Sequence, residues 1–312
     1  MNLRTTLFAA SLLAVSLGAQ AQTDSASCGA VTLADPGWSD IAVTNGIASL
    51  LLDGLGYKAQ TRTLAVPIIF AGLQKGQVDV FLGNWMPAGQ HDYDRYVTSG
   101  QIDKVVENLG GTEYTLAVPT YAAEAGLKSF QDIAKFKDQL GGKIYAIEPG
   151  NDGNLLIDGM IKNNQFDLGS FRMVESSEAG MLVQVSRAIK KKEPVVFLGW
   201  APHPMNTQYD ITYLSGGDDV FGPDYGAAKV YTVVPPDYEA RCENVGKLLG
   251  NLQFTVEMES QLMEKVLEKE NPQTVAKEWI KANPAILDQW LSGVTTFDGQ
   301  DGVAAVKKHV GL

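Results

Sequence analysis

Cysteine is nearly absent from this chain: 312 residues contain two, Cys28 and Cys242. The three histidines, His91, His203 and His309, are scattered, and no Cys-x-x-Cys occurs. That spacing offers no ordinary zinc site. There is no Gly-x-x-x-x-Gly-Lys-Ser/Thr phosphate loop and no Gly-x-Ser-x-Gly elbow, which removes the two commonest strand-to-helix catalytic turns. No residue is marked as a nucleophile with a base beside it. Enzymatic activity is therefore the weaker class, and neither a cofactor nor a metal is expected. Positive charge is also short, with 25 Lys and Arg against 36 Asp and Glu, a formal net charge of −11. Such a balance argues against nucleic acid or an anionic membrane as partner. Beyond the first 21 residues no apolar run approaches the length needed to span a bilayer.

What is present begins with a leader. Arg4 is the positive end, Leu7 to Leu17 is an apolar run, and Ala19-Gln20-Ala21 is a small-x-small cleavage site. Residues 1–21 are expected to be a signal peptide cut after Ala21, which places the product in the periplasm. The leader holds Arg4 and no acid, so the remaining chain carries −12. Export gives the two cysteines a meaning, because an oxidising compartment favours a Cys28–Cys242 disulfide. The alternative is two unconnected buried thiols. Overall composition, 45% hydrophobic and 20% charged, is that of a soluble globular protein.

Along the chain, strand and helix patterns alternate. Ala30–Ala34 reads as a strand, followed by a helix over about 41–55 that Ser39 or Asp40 can cap. A strand over Tyr57–Thr63 and a helix from Pro67 to Leu73 come next, then a strand over Val78–Leu82. This alternation predicts βαβ units with a mostly parallel sheet flanked by helices, an α/β fold. After a polar segment, 88–111, the strand Thr112–Pro119 enters a second lobe with its own alternation. Its pieces are a helix near 132–137, the strand Lys143–Ile147, a helix over 154–161, the strand Phe171–Val174, a helix over 179–189 and the strand Val195–Leu198. Lys190, Lys191 and Lys192 then sit at a helix C-terminus, where cations suit the macrodipole. Ile211–Leu214 and Ala228–Pro235 read as the return, and the chain after 239 as amphipathic helices. The expected lobes are 28–111 plus 212–312, and 112–211. Chain crossings of this kind place a cleft between lobes, a preferred place for small-molecule sites.

Two stretches repeat one idea. Phe81-Leu82-Gly83-Asn84-Trp85-Met86-Pro87 and Phe197-Leu198-Gly199-Trp200-Ala201-Pro202 each deliver an indole at the carboxyl end of an apolar strand. Ligand sites in open α/β sheets lie there. Trp38 likewise follows the first strand, Tyr114 lies where the chain crosses between lobes, and Asn151 follows a strand end. Any one such residue is more often core than ligand contact; the repeated placement favours a shared site. Trp279 and Trp290 lie in the amphipathic C-terminal helices and are read as core.

An aromatic box suits one chemistry. A quaternary ammonium has no N–H to donate, whereas aromatic faces attract a diffuse cation through their quadrupole at roughly 0.5–2 kcal/mol per contact. Four contacts supply about 2–8 kcal/mol, against about 8 kcal/mol for micromolar binding. Primary amines are disfavoured, because their N–H groups would be buried unpaired. Asp40 and Asn151 are then candidates to read the polar end of the ligand, with helix capping as their ordinary alternative.

These residues carry a resemblance. Asp35-Pro36-Gly37-Trp38-Ser39-Asp40, the two strand-to-tryptophan stretches, Glu113-Tyr114, Glu148-Pro149-Gly150-Asn151 and Cys242-Glu243-Asn244-Val245-Gly246 resemble the periplasmic choline and glycine betaine binding proteins of ABC importers, the choline type above all. The resemblance covers nearly all of the chain after the leader. It implies a type II binding-protein fold with two lobes, a box of Trp38, Trp85, Tyr114 and Trp200 around a trimethylammonium group, and Asp40 and Asn151 near a choline hydroxyl. It also implies a membrane permease as partner and a monomeric receptor. Glycine betaine, carnitine, or a periplasmic enzyme acting on a small quaternary amine are the rival readings. A betaine carboxylate would be repelled by Asp40, which tips the expectation to choline.

Overall fold

The computed structural model describes residues 24–312, so the leader expected over 1–21 lies outside the described residues. Nine strands run β1 (Ala30–Asp35), β2 (Lys58–Thr63), β3 (Phe81–Met86), β4 (Asp103–Pro119), β5 (Lys143–Tyr145), β6 (Arg172–Val174), β7 (Phe197–Ala201), β8 (Ile211–Tyr213) and β9 (Ala228–Val234). The longer helices are α1 (Ser39–Gly54), α2 (Val66–Gln74), α3 (Asp152–Lys162), α4 (Glu178–Lys191), α5 (Glu243–Asn251), α6 (Val256–Leu267), α7 (Pro272–Ala282) and α8 (Gly302–Val310).

β1 pairs with β2 in parallel, and a parallel bridge from Leu33 to Val80 joins β1 to the chain leading into β3. The other strands form one sheet in the order β3-β9-β4-β7-β5-β6, with β8 also on β4. β2 is polar and largely exposed, with Lys58 and Arg62 on a free edge, a composition that discourages pairing with another chain. The α/β class is as expected. Within it the parallel pairs β1–β2 and β5–β6 lie to the sides, while β3, β9, β4, β7 and β8 pair antiparallel.

The long strand β4 explains that pattern. It has 17 residues, so the last part of the polar segment 88–111, from Asp103 on, is strand. The pair Gly110-Gly111 looks like a break in sequence, but β9 pairs with β4 on either side of it, from Asp103↔Val234 to Thr112↔Ala228, and absorbs the irregularity as shifts of register. The far half of β4 pairs with β7 and β8. Ile211–Tyr213, expected to begin the return, instead pairs with Ala117–Pro119, so the chain leaves that half of β4 only after β8.

Helix α1 departs from an amphipathic pattern, since residues 39–52 are buried apart from Ala42. A helix apolar on all sides must be covered on all sides. The strands take one face, and the C-terminal helices α6, α7 and α8 cover the others. Trp279 and Trp290 belong to that covering layer as expected, their rings stacked 6.1 Å apart. A Cys28–Cys242 disulfide, Cα–Cα 5.7 Å, ties the segment before β1 to the start of α5. Lys190 and Lys191 occupy the last turn of α4, and Lys192 closes it in the left-handed conformation, its ammonium 5.0 Å from the Tyr121 ring centre.

Candidate functional site

Each strand-to-tryptophan stretch continues further as strand than its apolar residues suggest. Trp85 is the penultimate residue of β3, paired with Val230 of β9, and Trp200 is the penultimate residue of β7, opposite Tyr114 of β4. Both tryptophans are therefore held by ladder partners, which fixes the direction of the indole more firmly than a loop would. The preceding glycines are required by close approach. A Cβ at Gly83 would stand 2.6 Å from Ile41 Cδ1, and one at Gly199 would stand 2.9 Å from both Ala117 Cβ and Tyr213 Cε1. Met86–Pro87 and Ala201–Pro202, which close the two stretches, are both cis.

Trp38 stands at the entry of α1 in extended conformation, with Asp40 in the first turn. Neither Ser39 nor Asp40 caps this helix: both lie inside it, and Trp38 occupies the cap position without a side-chain bond. Asn151 does cap α3, accepting from the Asn154 N–H at 3.3 Å, and the same Oδ1 accepts from the Tyr114 hydroxyl at 2.9 Å. With Oδ1 used twice, the amide hydrogens of Asn151 remain for something else.

The structure brings all six expected residues together. Trp38, Asp40, Trp85, Tyr114, Asn151 and Trp200 line one small cavity, joined by Ile147 and Asp152. Trp85 and Trp200 flank Tyr114, with ring centres 5.8 Å and 6.4 Å from it. No lysine or arginine lines the cavity. Among the described residues no group of three or more His, Cys, Asp and Glu side chains is placed to hold a metal ion.

The indole N–H groups both end on carboxylates. Trp85 Nε1 donates to Asp40 Oδ2 at 3.1 Å, and Trp38 Nε1 donates to Glu148 Oε1 at 2.5 Å. An anion at the ring edge reinforces the negative face that a cation would meet. Behind them, Glu178 accepts from the Ser39 N–H at 2.9 Å and from the Ser39 hydroxyl at 2.7 Å. Glu178 also meets His203 Nε2 at 3.1 Å. His203 Nδ1 accepts from the Met205 N–H at 2.9 Å, so its proton is on Nε2 and is donated to Glu178. Ser39 and Trp38 thereby bind the 148–178 region from across the cavity.

This concentration of buried acid raises the carboxyl pKa values. Burial, then the Glu178 charge, pushes Asp40 up to about 7. Burial likewise pushes Glu148 to about 7, and burial with the Asp92 and Glu148 charges pushes Asp152 to about 7. Glu259 of α6 is raised well above the carboxyl range by burial and then by Asp40. The roles of Glu148, Asp152, Glu178 and Glu259 are not marked in sequence. An acid in the first turn of a helix is ordinary, as Asp152 and Glu178 both are. Only their burial against the opposite wall sets them apart.

Comparison with known proteins finds the substrate-binding domain of ABC-type glycine betaine transport systems matching residues 29–282. The fold is similar to that of an ABC-transporter choline-binding protein solved with choline, at 52% identity and a TM-score of 0.90, over 91% of this chain and 99% of that one. A choline-binding protein in an unliganded semi-closed conformation, also 52% identical, gives a TM-score of 0.84 over 92% of this chain and 100% of that one. The glycine betaine/carnitine transport binding protein GbuC of Listeria monocytogenes is 30% identical over 164 residues, 53% of this chain and 54% of that protein. The architecture is thus that of the two-lobed type II binding proteins.

Proposed function

This chain belongs to the substrate-binding-domain family of ABC-type glycine betaine transport systems, and we propose that it is an extracytoplasmic receptor that captures choline and delivers it to a membrane permease. The proposal places it in the periplasm after removal of residues 1–21. It takes the lobes as 28–111 plus 212–312 and 112–211, with the second crossing moved to the segment between β8 and β9.

The observation that carries the choice is the charge of the cavity wall. Four aromatic side chains meet two carboxylates, Asp40 and Asp152, with no lysine or arginine among them. A trimethylammonium group is met by the faces of Trp38, Trp85, Tyr114 and Trp200. A hydroxyl at the far end needs an acceptor for its proton and a donor for its oxygen. Asp40 offers the acceptor, and the unused amide hydrogens of Asn151 offer the donor. A carboxylate in the same position would face Asp40 with no compensating cation, a like-charge contact in low dielectric.

Trp38 and Trp85 come from one proposed lobe, Tyr114 and Trp200 from the boundary and body of the other. The ligand therefore completes its contacts only when the lobes are together, and binding shifts the population to the closed form. The Trp38–Glu148 and Ser39–Glu178 hydrogen bonds are then closure contacts. Calorimetric titration with choline, glycine betaine and carnitine tests the reading. Choline is expected to bind at least about tenfold more tightly, a difference of about 1.4 kcal/mol; glycine betaine or carnitine binding tenfold more tightly than choline would overturn the choice. Recovery of chemically unchanged ligand after prolonged incubation is expected, and turnover beyond one equivalent would favour the enzyme reading instead.

A further inference from the structure

Asp152 is the one cavity-lining acid whose carboxylate has no hydrogen-bond donor among the described residues. Asp40 has the Trp85 indole, while Asp152 appears in no such pair. It is only 6% exposed, and it stands where α3 begins, immediately after the cap residue Asn151. From the opposite wall the Trp85–Asp92 segment closes over it: a Cβ added at Gly89 would lie 3.2 Å from Asp152 Oδ2. The charged and titratable groups that face it are Asp92 from that segment, Glu148 from the loop before α3 and Tyr114 from β4. Asp40 lines the same cavity from α1, and His91 and Arg95 lie near enough to Asp92 to oppose the rise that burial gives its pKa. None of the groups lining the cavity is cationic.

A carboxylate buried to this degree, without a donor or a protein cation and with only the N-terminal end of α3 to offset it, is costly unless more positive charge is supplied. The cavity it lines is open to a ligand that could supply it. We propose that Asp152 is a specificity-determining residue of this site, the counter-charge that makes the cavity select ligands by net charge, admitting quaternary monocations and discriminating against quaternary zwitterions. This rests on the quaternary-amine reading of the cavity. It differs in mechanism from the work assigned to Asp40, which reads the hydroxyl. Asp152 acts on the ammonium charge itself, so its effect extends to ligands that have no hydroxyl.

The linkage to protons follows from the same placement. A site with Asp152 half protonated near pH 7 must release that proton for a cation to enter with full benefit. Binding to the wild type is therefore coupled to proton release, and Asp152 contributes part of it.

The test is calorimetry on the full chain with tetramethylammonium, choline and glycine betaine at pH 8, for the wild type, Asp152→Asn and Asp152→Ser. Thermal melting of each variant confirms folding, and the serine variant guards against an amide-specific disturbance. Asp152→Asn is expected to weaken tetramethylammonium and choline by similar factors, about tenfold. Glycine betaine is expected to change little, so that the choline-to-betaine affinity ratio shrinks by about tenfold. Repeating the choline titration at pH 7 in buffers of different ionisation enthalpy should show about half a proton fewer released by the variant. An unchanged ratio in both variants, or an equal loss for all three ligands, would overturn the inference and leave a packing role. Failure of the wild type to bind either monocation would instead overturn the reading of the site on which the inference rests.

Discussion

Trp85 and Trp290 are both tryptophans removed from solvent, 5% and 0% exposed, yet they sit in surroundings of different kinds. Trp290 donates its indole N–H to the Gln253 carbonyl at 3.1 Å, stacks on Trp279 and meets Phe254 in a T-shaped contact. Its polar atom meets a neutral backbone group, and its ring is packed against other aromatic rings. Trp85 donates to the Asp40 carboxylate, touches Tyr114, and borders the cavity. Burial alone does not separate a core indole from one held ready for a ligand. The charge at the ring edge and the presence of unfilled space beside the ring do.

The strongest way to break that contrast is to remove each ring in turn. Trp290→Ala should destabilise the fold by about 3–5 kcal/mol, the usual cost of an aromatic-sized cavity, measured by chemical denaturation, with choline affinity retained wherever the variant is folded. Trp85→Ala should do the reverse, weakening choline by about 1–3 kcal/mol in calorimetry with little loss of stability. If Trp85→Ala binds choline as the wild type does, its indole is core like Trp290.

Two finer tests sharpen the distinction between the acids and the rings. Asp40→Asn should cost choline about 1.5 kcal/mol more than tetramethylammonium, since only choline has a hydroxyl for the carboxylate to accept from. Equal losses would assign Asp40 to the cation or to the Trp85 indole alone. Lowering the pH from 8 to 6 should weaken choline about tenfold for each carboxyl near pH 7 that must ionise to receive it. The sign for the unliganded fold is the opposite. Asp40, Glu148 and Asp152 have folded pKa values raised to about 7, above those of the unfolded chain, so their contribution is greatest at low pH and lost as pH rises through 7. The melting temperature without ligand should therefore fall between pH 5 and pH 8, and the increase produced by choline should grow over the same range.

Much of the architecture is legible in the sequence because apolar strands and capped helices leave local signals. β1, β7, α2 and α3 lie within a few residues of where those signals place them. The convergence of Trp38, Trp85, Tyr114, Asn151 and Trp200 is legible too, since the tryptophans stand at or just past strand ends, Asn151 follows a strand, and Tyr114 lies where the chain is expected to cross between lobes. What is not legible depends on partners far away in the chain. The strand character of 103–111 needs β9, more than 110 residues later, to supply its ladder. The full burial of α1 needs the C-terminal helices. Asp152 and Glu178 look like dipole-complementing acids until the opposite wall buries them, and an acid that reads as capping in sequence becomes part of a charged cavity only through that contact.

The most direct measurement is a competition titration of choline-loaded protein with tetramethylammonium and, separately, with ethanolamine. Tetramethylammonium keeps the methylated cation and lacks the hydroxyl, while ethanolamine keeps the hydroxyl and lacks the methyl groups. Competitive displacement by tetramethylammonium from one site per chain, with ethanolamine ineffective at the same concentration, is the expected result. Displacement by ethanolamine alone would mean that hydrogen bonding rather than the aromatic faces holds the ligand, and would contradict the aromatic box.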